Sequence, residues 1–194
     1  MGYITVVYDR LLLLYTLAFE WFLIKGRAVD WVGGLVYIPS VLSAFNQCGD
    51  VVTRDFTATT FVVQDGRTLL LFHRKIQEWF PPGGHIHQDE LPCDAAVREV
   101  QEESGLEVKL LATSCSMGTV TVLSKPECIL LEQITPDHQH IDLIYFARVV
   151  GGELKVAESE AEGHRWCSPA DLEAGDINED IRRLGIMAID AEEG

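Results

Sequence analysis

The sequence predicts an α/β protein, and three stretches carry that prediction. A helix is expected between Pro92 and Gly105, because proline suits a first helical turn and glycine a left-handed helix end. The β-branched run Thr57–Val63 faces a second strand-like run, Thr68–His73, across Asp65-Gly66, a two-residue hairpin signal. The apolar run 140–150, from His140 to Val150, is the longest strand candidate and reads as central and buried.

Residues 1–52 are expected to be an extension and residues 53–194 the domain. The first 47 residues hold three acids (Asp9, Glu20, Asp30) and three bases (Arg10, Lys25, Arg27), so the whole charge of -15 belongs to the remainder. Leu11–Ile24 is apolar apart from Glu20, but its 14 residues fall short of the ~20 that a spanning helix needs. No basic n-region or A-x-A site marks a signal peptide. Three readings fit: a helix-plus-loop extension packed on the domain or a partner, a weak membrane-surface anchor through residues 11–24, or translated sequence upstream of the real start.

After the hairpin, Pro81-Pro82-Gly83-Gly84 stiffens and then turns the chain into the helix. Asp89, Glu90 and Asp94 favour the helix start. Cys93, Ala96, Val97 and Val100 form an apolar face that can pack on a sheet. Further strands are expected at 108–112 and 128–134. Gly151-Gly152 is read as a turn into a strand at 153–157, and Arg165–Cys167 as a short strand. Ser168 caps a helix with Pro169 at its first position. A last helix is expected from about Asn178 to Leu184, with the tail from Asp190 frayed.

Glu99, Glu102 and Glu103 stand at i, i+3 and i+4, so one helical face carries three carboxylates. Such stacking costs a bare helix roughly 0.2–0.5 kcal/mol per pair, which a hard divalent cation would offset. Arg98 can pair with Glu102 or Glu90. From Gly84 to Leu106 the chain matches every fixed position of G-x5-E-x7-R-E-U-x-E-E-x-G-U, where U is bulky and aliphatic: nine specified positions over 23 residues. This segment resembles the Nudix box, and the chain resembles the Nudix hydrolase family from about Arg54 to Leu184. The resemblance implies an α/β/α sandwich around a mixed sheet, with the box as loop-helix-loop. It implies Mg²⁺- or Mn²⁺-dependent hydrolysis of a nucleoside diphosphate linked to X, such as a nucleoside triphosphate or a nucleotide sugar. It makes Glu99, Glu102, Glu103 and the Gly83 carbonyl metal ligands, and Glu90 and Arg98 orienting groups. Glu99 or Glu103 would be the base.

Outside the box, His85, His87, His73, Arg74 and Lys75 could contact phosphate. Glu160 is a candidate additional ligand or base. His138 and His140 with Asp137 and Asp142 have ligand chemistry, but the segment reads as a loop entering a strand. Trp79, Phe80 and Tyr145 could stack a base, with core packing the default. A pI of about 4.6 argues against nucleic-acid binding. Five cysteines without a C-x-x-C pair suit free thiols in a reducing, cytoplasmic setting. Two rivals stand beside the enzyme: a non-catalytic Nudix-fold nucleotide-binding or regulatory protein, and a prenyl diphosphate isomerase. The isomerase needs a dedicated cysteine and a histidine-rich metal site that the sequence does not place.

Overall fold

The computed structural model of the protein describes residues 30–32, 35–37 and 52–193. The chain divides into two units, Met1–Val51 and Val52–Gly194. In the first unit, β1 (Asp30–Val32) and β2 (Leu35–Tyr37) pair antiparallel, with Asp30 opposite Tyr37. The apolar run Leu11–Ile24 lies outside the described residues.

The second unit is built on two long strands, β3 (Thr53–Gln64) and β11 (His138–Gly152), which run parallel from Thr53–His138 to Val63–Arg148. β11 is central, as its apolar run predicts. Its first half also takes β10 (Cys128–Thr135), and its second half takes β7 (Leu106–Leu110), both antiparallel. β3 turns into β4 (Arg67–His73) through Asp65 and Gly66, both at positive φ, which is the hairpin that Asp-Gly predicts. β4 then takes β12 (Ala161–Cys167). The sheet is therefore mixed.

β3 and β4 share only two register pairs before they separate. Beyond them, β3 pairs with β6 (Gly83–His85) and β4 with β5 (Trp79–Phe80). This separation is where the cleft opens.

Strand alternation sends each face to a different helix. Phe61, Val63, Ile144 and Phe146 pack with Ile181, Ala188 and Ile189 of α3 (Glu179–Glu193). Ala58 and Tyr145 pack with Ala95 and Ala96 of α1 (Pro92–Ser104), and Val62 and Ala147 join Val100. With a helix on each face, the architecture is the expected sandwich. Proline occupies the first turn of α1 and Gly105 closes it at φ 72°. Ser168 and Asp171 form a reciprocal capping box on the short α2 (Pro169–Leu172).

Four expectations change. Gly151 and Gly152 are not a turn but the end of β11, opposite Glu107 and Leu106 of β7. Residues 153–157 are not a strand. Their backbone bonds go instead to the end of α1, where Lys155 N–H donates to the Ser104 carbonyl and Ala157 N–H to that of Glu103. β12 begins at Ala161 rather than Arg165. α3 runs past Leu184 to Glu193, because Gly185, Ala188 and Ile189 continue its buried stripe.

Candidate active site

Glu99, Glu102 and Glu103 of α1 all line one cavity of about 940 Å³, together with Gly83 and Gly84. The entry glycines let the backbone approach the carboxylates closely. A Cβ on Gly84 would stand 2.6 Å from Glu99 Oε1, so any side chain there would displace that carboxylate. Burial first, and then Glu99, push the Glu103 carboxyl up to about 8, while a backbone hydrogen bond from Gly83 pulls the other way. Among the described residues, no cationic side chain pairs with Glu103.

Arg98 ties the acidic face together. Its guanidinium grips Glu90 bidentately, Nε to Oε1 at 2.7 Å and Nη2 to Oε2 at 2.9 Å. Nη1 donates to Glu99 at 2.7 Å and to Glu102 at 3.0 Å, and Nη2 also donates to the His85 carbonyl at 3.1 Å. The two partners expected from sequence are both engaged, and Glu99 is a third. The hydrogen bond to Arg98 holds the Glu90 carboxyl down to about 2. Glu90 also accepts from His87 N–H, which pins the loop ahead of the helix.

The opposite wall of the cavity comes from the sheet and α3. Thr57, Glu132, His140, Asp142 and Asp180 line it, with Phe61, Phe80, Ile144 and Ile181 as apolar surface. Asp142 is 3% exposed and accepts from Thr57 Oγ1 at 2.8 Å; burial raises its carboxyl all the same. Burial, with Asp142 nearby, pushes Glu132 up to about 7. His140 is lowered by burial and by its neighbours His85 and His138.

A family model described as the NUDIX domain matches residues 53–185. This chain belongs to the Nudix family. A Bacillus subtilis protein named "Putative 8-oxo-dGTP diphosphatase" is 30% identical over 59% of this chain and 67% of its own. A Lactococcus lactis protein named "Probable DHNTP pyrophosphohydrolase" is 26% identical over 53% of this chain and 58% of its own. Among solved structures, a NUDIX-family hydrolase from Clostridium perfringens superposes with a TM-score of 0.65 at 33% identity, covering 72% of this chain and 98% of that one. The chain is a Nudix hydrolase, an enzyme that cleaves a diphosphate linkage.

Around the Nudix box, the structure sorts the remaining candidates. His73, Lys75, His85, His87 and Glu160 line the cavity. Arg74 turns to Glu162 at 3.9 Å. Phe80 reaches the cavity, whereas Tyr145 is buried under α1 and Trp79 is sandwiched between Phe72 and the Arg165 guanidinium. His138 and His140 lie within β11 rather than in a loop before it, and the carboxylate beside them is Asp55. Asp137 instead accepts from Thr135, and Asp142 from Thr57. Sequence reasoning missed Asp55 and Glu132. The signal for Glu132 was period-2 alternation: Cys128, Leu130 and Glu132 share one face of β10, so Glu132 must point where Leu130 does.

Proposed function

We propose that this enzyme hydrolyses the diphosphate linkage of a nucleoside triphosphate, with Mg²⁺ or Mn²⁺ required. The observation that carries this is the convergence of Glu99, Glu102 and Glu103 on the walls of one cavity. The donor set suits a hard cation: all three are carboxylates, and Glu103 is half-buried with no cationic partner among the described residues. Those three glutamates and the Gly83 carbonyl would hold the ion, which when bound neutralises phosphate charge and acidifies water. The protein's own residues do the rest. Arg98 and Glu90 fix the rotamers of Glu99 and Glu102. Glu103, free of Arg98, would in its ionised form take the proton from the attacking water. Lys75 and His87 face the phosphates from the rim.

One observation favours a nucleoside triphosphate over a nucleotide sugar. The Bacillus relative is named for one. Glu132 and Asp142 line the same cavity and are polar groups for a base, which a triphosphate and a nucleotide sugar share. Products would be a nucleoside monophosphate with phosphate or pyrophosphate. Free thiols at Cys93, Cys115, Cys128 and Cys167 support a cytoplasmic setting. Among the described residues, no helix is long and apolar enough to cross a membrane.

Activity should vanish in EDTA and return with Mg²⁺ or Mn²⁺, read as released phosphate and pyrophosphate over a panel of triphosphates and nucleotide sugars. Full turnover in metal-free buffer would remove the metal requirement. Nucleotide binding without turnover of any panel member would leave the non-catalytic alternative standing.

Residues 53–194 should carry the activity alone, because every residue named above lies after Thr53. A chain beginning at Val52 is expected to be soluble, to unfold cooperatively and to keep the full-length rate. An insoluble or inactive product would make the first unit part of the working enzyme.

A further inference from the structure

We propose that Asp55, His138 and His140, with His85, bind one transition-metal ion of the Zn²⁺ class, at a site distinct from the three box glutamates. Strand register builds the group. Asp55 and His140 are partners in the parallel β3–β11 pair, and His138 precedes His140 by two residues, on the same face. His85 of β6 opposes Thr57, two residues after Asp55, so it joins that face from the other side of β3.

The distances suit a small ion. Candidate ligand atoms of Asp55, His138 and His140 all lie within 4.8 Å of one another. Asp55 Oδ2 is 3.6 Å from His138 Nε2 and 3.7 Å from His85 Nε2. Tetrahedral bonds of 2.0–2.1 Å place ligand atoms roughly 3.3 Å apart, so small side-chain rotations close the shell. The His140 ring stands nearly perpendicular to both His85 and His138, with centroids 5.0 and 5.2 Å away, so the imidazoles converge edge to face rather than stack.

The contacts behind His138 suit the tautomer that a metal would need. Thr53 Oγ1 donates its one proton to the Asp137 carbonyl at 3.2 Å. It also lies 2.8 Å from His138 Nδ1, and with Nδ1 protonated that contact is an N–H donating to the hydroxyl oxygen. In that tautomer the Nε2 lone pair faces Asp55, 3.6 Å away, the outer-shell arrangement that orients metal-binding histidines. Three imidazoles with one carboxylate select a borderline ion over Mg²⁺, which prefers an all-oxygen shell. The site lies at the rim of the catalytic cavity, which His85 and His140 line. It does not depend on which diphosphate the enzyme cleaves.

The test uses the full chain and Zn²⁺ or Co²⁺ alone as probe, with excess Mg²⁺ present to occupy the glutamate site. Calorimetry should give one Zn²⁺ per chain, and Co²⁺ should give a visible d–d spectrum of tetrahedral type. His140→Gln should weaken Zn²⁺ binding at least ~100-fold. Thr53→Val removes the acceptor behind His138 without touching a ligand and should weaken it ~10–100-fold. Asp55→Asn, at an exposed position, provides a variant with little risk to folding. The proposal is overturned if wild type binds no Zn²⁺ under excess Mg²⁺, if binding persists undiminished in Asp55→Asn and His140→Gln, or if Mg²⁺ competes the ion away.

Discussion

Glu103→Gln is expected to lower kcat by at least ~10²-fold, the scale of losing a positioned acid–base group. Glu99→Gln should do the same, because it strips charge from the same cluster. In metal-free buffer Glu103→Gln should be no less stable than wild type, since it relieves repulsion between carboxylates, whereas Glu99→Gln also weakens the 2.7 Å contact with Arg98. Glu103 adds a pH signature. Its carboxyl titrates at about 8 in the folded protein against 4.5 as the ordinary value. The folded state therefore holds that proton more tightly. The resulting stability is fully present below about pH 4.5 and is lost as pH rises through about 8. Thermal unfolding in EDTA across this window should show wild type losing stability and Glu103→Gln losing less. Near wild-type rates in both variants would make the box helix a binding element here.

Arg98→Ala should give the largest loss of stability. One guanidinium serves Glu90, Glu99 and Glu102, and Glu90 is only 16% exposed at its side chain. Removing it leaves a desolvated carboxylate without its partner and three acids facing one another. The expected cost is about 3 kcal/mol, the low end for breaking a buried pair. For a chain of this size that lowers Tm by roughly 6–12 °C. Glu90 sets the pH dependence. Its pKa is held at about 2, below the ordinary 4.5, so the stabilisation is present above pH 4.5 and lost as pH falls through about 2. The gap between wild type and Arg98→Ala should therefore be widest at neutral pH and close in acid. Arg98→Lys keeps the charge but not the fork, and should recover only part of the gap. A variant as stable as wild type at pH 7 would show that the network is solvated and contributes nothing.

The box helix was legible because everything that makes it is local. Pro92, Gly105 and the three glutamates act within a few turns, and Arg98 finds Glu90 eight positions away. The hairpin at Asp65-Gly66 was legible for the same reason. What the sequence hid depends on strands meeting across distance. Asp55 becomes a neighbour of His140 only because β3 and β11 pair in one register, and Glu132 enters the cavity only because β10 lies beside β11. Residues 153–157 look strand-like, but sheet partners are not what holds them. The open carbonyls at the end of α1 are, and they take the chain instead. Gly185 reads as a helix stop in isolation, yet it packs against Leu172 and Thr68, and tertiary contact outweighs its propensity.

The parallel pairing of β3 with β11 also sets a clock on biosynthesis. Partners such as Thr57 and Asp142 are 85 residues apart. At ~5–20 residues per second, β3 leaves the ribosome about 4–17 s before the strand it must lie against. Until β11 emerges, Phe61 and Val63, both buried in the finished sheet, lack Ile144 and Phe146 beside them. Closure of so long a loop comes late and slowly. The nascent chain is thus most exposed to wrong strand partners after the box helix has been made and before the sheet beneath it is complete.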